Sequence, residues 1–286
     1  MANGEVRIDA FIPAEMAGRA EGVSIMKAEL GFWTMFALAV LAGAFIGTGA
    51  IFATTVITGA GGMLSFGITK LLGGLVFCLG LILVIVAGAE LFTGNNLIVM
   101  AWAAGKISTG KLLRNWGIVY LGNFVGSIGT AIIMLFSKQY TFGGGGIGLT
   151  ALNIANGKVH LEFVQAIALG AMCNALVCLA VWLCFSARST TDKILSIIFP
   201  ITAFVAAGFE HSVANMYFIP MGLLIKSAAG PEFWANIGKT AADYAGLTWG
   251  HFVINNLLPV TIGNIFGGSL MVGAAYWFIY LRPRRS

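Results

Sequence analysis

Residues 87–95 read Ala-Gly-Ala-Glu-Leu-Phe-Thr-Gly-Asn, and residues 207–215 read Ala-Gly-Phe-Glu-His-Ser-Val-Ala-Asn. Both are A-G-x-E-x-x-x-x-N, 120 positions apart, and both interrupt long apolar runs. A carboxylate, an amide and small residues inside such a run break a helix, and the backbone groups freed there must line protein or a cavity. His211 is the sharpest candidate for chemistry, because an imidazole at that depth can hydrogen-bond an ion or carry a proton. His160 and His251 fall near the ends of apolar runs, where a wet interfacial role suffices. Thr93, in the Leu91-Phe92-Thr93-Gly94 turn, stands on the corresponding first break. Half-helix N-termini carry partial positive charge, so with His211 they favour an anion over a cation. Glu90 and Glu210 read as braces that accept hydrogen bonds from freed N–H groups or pair nearby, a proton relay being the alternative. Phe77, Leu81, Leu91, Phe92 and Phe204 are candidates for apolar constrictions on either side of the site, with ordinary packing the alternative for any one of them.

The elements that position these residues are membrane spans. The chain has 286 residues, is 58% hydrophobic and only 9% charged, against about 25% charged in soluble domains. Several stretches exceed the roughly 18 apolar residues of a transmembrane helix. Six spans are expected, over about 30–58, 66–105, 114–137, 159–187, 193–225 and 248–281, the second broken near 91–96 and the fifth near 211–215. Residues 1–28 carry Glu5, Arg7, Asp9, Glu15, Arg19, Glu21 and Lys27 and have no apolar core, so they are not a signal peptide. Pro13 can start a short amphipathic helix there with Met16, Ala20 and Val23 on one face, lying at the membrane interface, the alternative being a solvated leader. The division is thus 1–28 as a cytoplasmic amphipathic segment, 29–282 as the spanning domain and 283–286 as a basic tail.

Further short matches recur in the same order in both halves. Gly43-Ala44-Phe45-Ile46-Gly47 answers Gly170-Ala171-Met172-Cys173-Asn174, and Gly122-Asn123-Phe124-Val125-Gly126 answers Gly263-Asn264-Ile265-Phe266-Gly267. A duplicated unit of three spans is odd, so its second copy enters from the other side and gives an inverted three-plus-three repeat. The glycine spacing puts small residues on one helix face and predicts close backbone packing. Of 16 Lys and Arg, eleven fall on the side of both termini and five (Lys70, Lys138, Lys158, Lys226 and Lys239) on the other, which places both termini in the cytoplasm.

The same reading excludes several classes. The net charge of +5 is scattered through loops and tails, which is a topology signal and not a nucleic-acid one. Cys78, Cys173, Cys178 and Cys184 lie in apolar runs with no CxxC pair, as structural thiols do. Gly143-Gly144-Gly145-Gly146 lacks the Lys-Ser/Thr of a phosphate loop and reads as an external loop. No metal, cofactor or hydrolase motif is present, and an enzyme is not expected. Against a haem- or quinone-binding membrane enzyme, one midplane histidine cannot provide bis-histidine ligation, and a water or glycerol pore would carry paired Asn-Pro-Ala loops where this chain has Asn95-Asn96-Leu97 and Asn215-Met216-Tyr217.

The leader, the Glu90–Asn95 loop, the run Ala206-Ala207-Gly208-Phe209-Glu210-His211-Ser212-Val213-Ala214-Asn215-Met216 and Gly263-Asn264-Ile265-Phe266-Gly267-Gly268 together resemble the formate/nitrite transporter family, formate-channel branch, over nearly the whole chain. The resemblance implies an aquaporin-like all-α protomer in a homopentamer of the bacterial inner membrane, one pore per protomer. It implies transport of formate and similar small monovalent anions, nitrite or hydrosulfide being the alternatives within the family. It further implies His211 as the central pore histidine with Thr93 as partner, and Asn174 and Asn264 as nearby polar groups. Leu81, Leu91 and Phe92 would form the cytoplasmic-side constriction, Phe77 and Phe204 the outer one, and Lys27 and Lys158 would belong to the two vestibules. Proton exchange through His211 and plain anion passage both remain open at this point.

Overall fold

The computed structural model describes residues 9–283, so the arginines and serine of the last three positions, and Glu5 and Arg7 of the leader, lie outside the described residues. Among the described residues the structure is all helical apart from one isolated bridge in a turn. Five helical stretches are long and apolar enough to cross a membrane: Phe32–Ile57, Phe66–Gly88, Thr109–Phe136, Phe163–Cys184 and Ala241–Leu281. Large apolar side chains such as Trp33, Phe66, Phe136 and Phe199 stand on the outside, a surface suited to lipid or another apolar partner.

In chain order, α1 is Pro13–Glu29, started by proline at its first turn. Met16, Ala17, Ala20, Ser24 and Ala28 are buried, and the side expected at a membrane interface meets Leu97, Met100, Trp182 and Val272 of the protein itself. Helix α2 is Phe32–Ile57 and α3 is Phe66–Ile82, capped by Ser65. A wider i→i+5 stretch continues α3 to Gly88, which turns out of the helix at φ +83°, a conformation that glycine adopts without strain. Residues 89–93 are not helical; a 3₁₀ turn over Gly94–Ile98 then leads into the short α4, Val99–Ala103. Helix α5 is Thr109–Phe136.

Two elements fall where the sequence assigned none. Gly143, Gly144 and Gly145 form a turn with φ of +62°, +64° and +88°, and α6 follows directly over Gly146–Val159; the small α10, Pro231–Ile237, is the other. Helix α7 is Phe163–Cys184. The expected fifth span is two helices of 17 residues, α8 over Thr190–Ala206 and α9 over Ser212–Ala228, with Gly208 at φ +75° between them. A single turn α11, Trp249–His251, opens a long stretch that passes through an i→i+5 segment into α12, Leu258–Ile265, and on to Leu281.

Glycine sets the approach of the main helix pairs. A Cβ on Gly43 would stand 2.1 Å from the Asn123 carbonyl oxygen, and one on Gly126 2.0 Å from that of Val40, between α2 and α5. The same holds between α7 and α12, where a Cβ on Gly263 would stand 2.2 Å from the Ile167 oxygen and one on Gly267 2.0 Å from that of Ala171. The packing role expected of this spacing is therefore met in both pairs.

Candidate functional site

Each break is held by backbone-to-scaffold bonds of the same kind. At the first, the Glu90 N–H donates to Leu38 O (3.2 Å), the Phe92 N–H to Asn123 Oδ1 (2.9 Å), and Asn123 Nδ2 donates to Glu90 O (2.9 Å) and Ala39 O (2.7 Å). At the second, the Glu210 N–H donates to Leu169 O (3.3 Å), the Ser212 N–H to Asn264 Oδ1 (2.9 Å), and Asn264 Nδ2 donates to Glu210 O (2.9 Å) and Gly170 O (2.8 Å). An amide offers both an acceptor and two donors, so one asparagine serves the freed N–H and the freed C=O of a break at once. These bonds also fix the register: Phe92 answers Ser212, so the residue in the place of His211 is Leu91.

The two glutamates do act on a neighbouring cation, but one that comes from far away in the chain. Lys27 Nζ donates to Glu90 Oε1 (2.7 Å) and Asn95 Oδ1 (3.0 Å); Asn95 Nδ2 donates to Glu90 Oε2 (2.7 Å) and Asn115 Oδ1 (2.9 Å); Asn115 Nδ2 closes the ring on Lys27 O (3.1 Å). In the second half Lys158 Nζ donates to Glu210 Oε1 (2.8 Å), Asn215 Nδ2 to Glu210 Oε2 (2.6 Å) and Asn256 Oδ1 (2.7 Å), and Asn256 Nδ2 to Lys158 O (2.9 Å). Among the described residues neither carboxylate accepts from a freed backbone N–H. Lone buried charges cost several kcal/mol, and pairing with full hydrogen bonding is the condition under which they are tolerated.

Between the breaks, Thr93 Oγ1 and His211 Nε2 are 2.9 Å apart, and both residues are buried. The other ring nitrogen, Nδ1, accepts from the Ala214 N–H at 3.0 Å. A nitrogen that accepts carries no proton, so this network assigns the hydrogen to Nε2, which donates toward Thr93. The imidazole face lies 5.8 Å from the Phe204 ring, and Phe204 meets Phe77 edge-on at 5.7 Å.

Two cavities lie at the breaks, one lined by His211 and the other by Leu91 and Gly94 on either side of Thr93 in sequence, and they share no lining residue. The first, about 340 Å³, is bounded by Phe77, Phe204, Phe218, Lys158, Glu210 and His211. The second, about 490 Å³, is bounded by Leu81, Leu91, Glu90, Lys27 and, also on α1, Arg19, Val23 and Met26. Positions 88–91, 94 and 95 line the second and positions 208–211, 214 and 215 line the first, the same register offset by 120. Phe77, Phe204 and His211 belong to the wall of the first cavity, Leu81 and Leu91 to that of the second.

The expected residues are thus distributed as follows. His211, Phe77, Phe204 and Lys158 line one cavity and Leu81, Leu91 and Lys27 the other. Thr93 lines neither and is fully buried, with its hydroxyl at His211 Nε2. Phe92 lines neither; its ring packs edge-on against Tyr120 (4.8 Å) and Trp116 (6.2 Å). Asn264 is committed to the backbone of the second break, and Asn174 Nδ2 donates to Asn264 O (2.7 Å). Sequence reasoning passed over Asn115 and Asn256. Each precedes its scaffold asparagine, Asn123 or Asn264, by eight residues, and that repeated N-x₇-N spacing was the available signal.

A helical membrane protein with two half-cavities meeting at a buried polar pair has the architecture of a solute pathway. A family model described as "Formate/nitrite transporter" matches residues 14–278, and the chain belongs to that family of channels and transporters; it is not an enzyme. "Formate channel FocA" of Escherichia coli (strain K12) is 47% identical over 274 residues, covering 96% of each chain. "Formate channel FocA" of Haemophilus influenzae is 44% identical, over 92% of this chain and 93% of the relative. A solved structure titled "Pentameric formate channel with formate bound" is 52% identical with a TM-score of 0.84, covering 88% of this chain and 98% of its own.

Proposed function

We propose that the chain is a bidirectional membrane channel for formate and related small monovalent anions, acting as a homopentamer with one pore in each protomer. The observation that carries this reading is the Thr93–His211 hydrogen bond between two cavities, in a chain similar over nearly its full length to proteins named formate channels. The fold on this reading is an aquaporin-like inverted repeat of six spans, the broken ones being α3 with α4 and α8 with α9. The matched scaffold bonds of Asn123 and Asn264 support it. Both termini face the cytoplasm of a bacterial inner membrane, supported by the distribution of Lys and Arg. Residues 1–28 form the cytoplasmic N-terminal segment, 29–282 the channel and 283–286 the tail.

The layer of Phe77 and Phe204 on one side and Leu81 and Leu91 on the other is the constriction. A charge crossing such a layer loses hydration at a cost of several kcal/mol. His211 Nε2–H and the Thr93 hydroxyl are the polar groups at that depth, and they offer donors to a carboxylate. The neutral acid meets a lower barrier, so a proton delivered with the anion speeds passage. Exchange of that proton through His211 requires Nδ1 to release its bond from Ala214. The test is uptake of labelled formate into proteoliposomes with and without an inward proton gradient. The wild type should take up formate and respond to the gradient, and His211→Asn should lose the response. Absence of formate uptake by the wild type overturns the function, and a wild-type pH response in His211→Asn overturns the role of the histidine.

A further inference from the structure

Each cavity holds a second lysine that the ion-paired rings do not involve. Lys70, in the first turns of α3, lines the His211-side cavity; Lys193, in the first turn of α8, lines the cavity under α1. Both are half-buried. Among the described residues neither ammonium has a carboxylate within ion-pair distance: the pairs are Lys27–Glu90, Lys111–Glu29 and Lys158–Glu210. Lys70 Nζ lies 5.5 Å from the centre of the Phe66 ring. Beside Lys193, Asp192 turns its carboxylate onto the N–H groups of Arg188 and Ser189 as a helix cap. The two lysines occupy comparable places, five residues after the cap Ser65 and four after the cap Ser189.

An ammonium held at 2.7–2.8 Å by a carboxylate forms a pair with no net charge, and its field falls off steeply with distance. Lys27 with Glu90 and Lys158 with Glu210 therefore attract a distant anion weakly. An unpaired ammonium on a low-dielectric wall acts as a monopole and raises the local concentration of anions. Resting on the proposed function above, we infer that Lys70 draws anions into one cavity and that Lys193, with Arg19 on the same wall, draws them into the other, while the paired lysines set the structure of the breaks. The specificity they confer is for charge sign and is felt in the approach of the ion, not at the Thr93–His211 layer.

The experiment is initial formate uptake into vesicles of known protein orientation, for Lys70→Gln and Lys193→Gln with Lys→Arg variants alongside. With one charge removed at ~10 Å, uptake from the side of the altered lysine should fall roughly two- to fourfold at about 0.01 M salt. The deficit should vanish at about 1 M salt, and the arginine variants should match the wild type at both. Equal low-salt rates for wild type and glutamine variants, or a deficit that persists at high salt, overturn the inference. A second readout does not involve formate. In a Cys184→Ser background, Ile57→Cys places a thiol on the wall of the Lys70 cavity. The ratio of its reaction rates with an anionic and a cationic thiosulfonate should fall about fourfold on Lys70→Gln at low salt. An unchanged ratio refutes the role of Lys70 whatever the channel conducts, whereas failure of wild-type formate uptake with a changed ratio refutes only the substrate.

Discussion

Replacing Asn123 by alanine removes three hydrogen bonds from the first break in one step. The Phe92 N–H and the Glu90 C=O have no other hydrogen-bond partner among the described residues, and both residues are buried. Ala39 lies inside α2, where the helix ladder still serves its carbonyl. Two orphaned buried groups at about 1–3 kcal/mol each set an upper range of about 2–6 kcal/mol, and relaxation of an irregular loop brings the expected loss to about 2–4 kcal/mol. At 1.4 kcal/mol per tenfold, local opening becomes roughly 30- to 700-fold more frequent. Amide exchange of peptides spanning 88–96, read by mass spectrometry in detergent or nanodiscs, measures that opening. Asn264→Ala should do the same to peptides spanning 208–216, since its bonds match in kind and length. Asn153→Ala, which loses only a half-buried bond from the Tyr244 hydroxyl, should leave both segments unchanged. Exchange at 88–96 within about threefold of wild type in a folded Asn123→Ala protein would refute the claim that this amide holds the break closed.

Thr93→Ala removes the side-chain partner of His211 Nε2 and should lower formate uptake while the oligomer elutes unchanged on size exclusion. Glu90→Ala takes the carboxylate from the Lys27 ammonium, which keeps only Asn95 Oδ1, and leaves the Asn95 amide with Asn115 Oδ1 alone. It should cost roughly 2–4 kcal/mol, less than for a fully buried pair because the Lys27 side chain is 28% exposed. That loss is read as a lower unfolding midpoint in detergent, and a stable but inactive Glu90→Ala protein would reverse the assignment of brace and pore. Gly126→Ala and Gly267→Ala force a methyl to 2.0 Å from a backbone oxygen and should abolish assembly, whereas Gly117→Ala, with nothing within 4 Å, should express normally; equal yields of all three would contradict the packing account.

The breaks are legible because an ionisable residue inside an apolar run conflicts with every bland reading of that run, and the conflict occurs twice at one spacing. The helix-pair contacts are legible through Gly122, Gly126, Gly263 and Gly267, where only a missing side chain permits the approach. What could not be read is which groups answer the glutamates. Lys27 lies 63 residues from Glu90 and Lys158 52 from Glu210, on helices whose own patterns say nothing of that contact. Helix α6 escaped because a run of four glycines looks like a loop, and here it is one, but a loop that caps a helix at Gly145. Phe92 followed from its neighbours in sequence, yet the scaffold bond of its N–H turns its ring toward Tyr120 instead of a cavity.

The equivalence of Leu91 and His211 bears on how such a molecule diversifies. The two breaks carry bracing of the same kind, and in both the bracing side chains leave the crest residue untouched. Leucine stands on one crest and histidine on the other, and neither belongs to the asparagines, glutamates and lysines that brace the breaks. A change of Leu91 or His211 alone would therefore alter the lining of a cavity while leaving every bracing hydrogen bond in place.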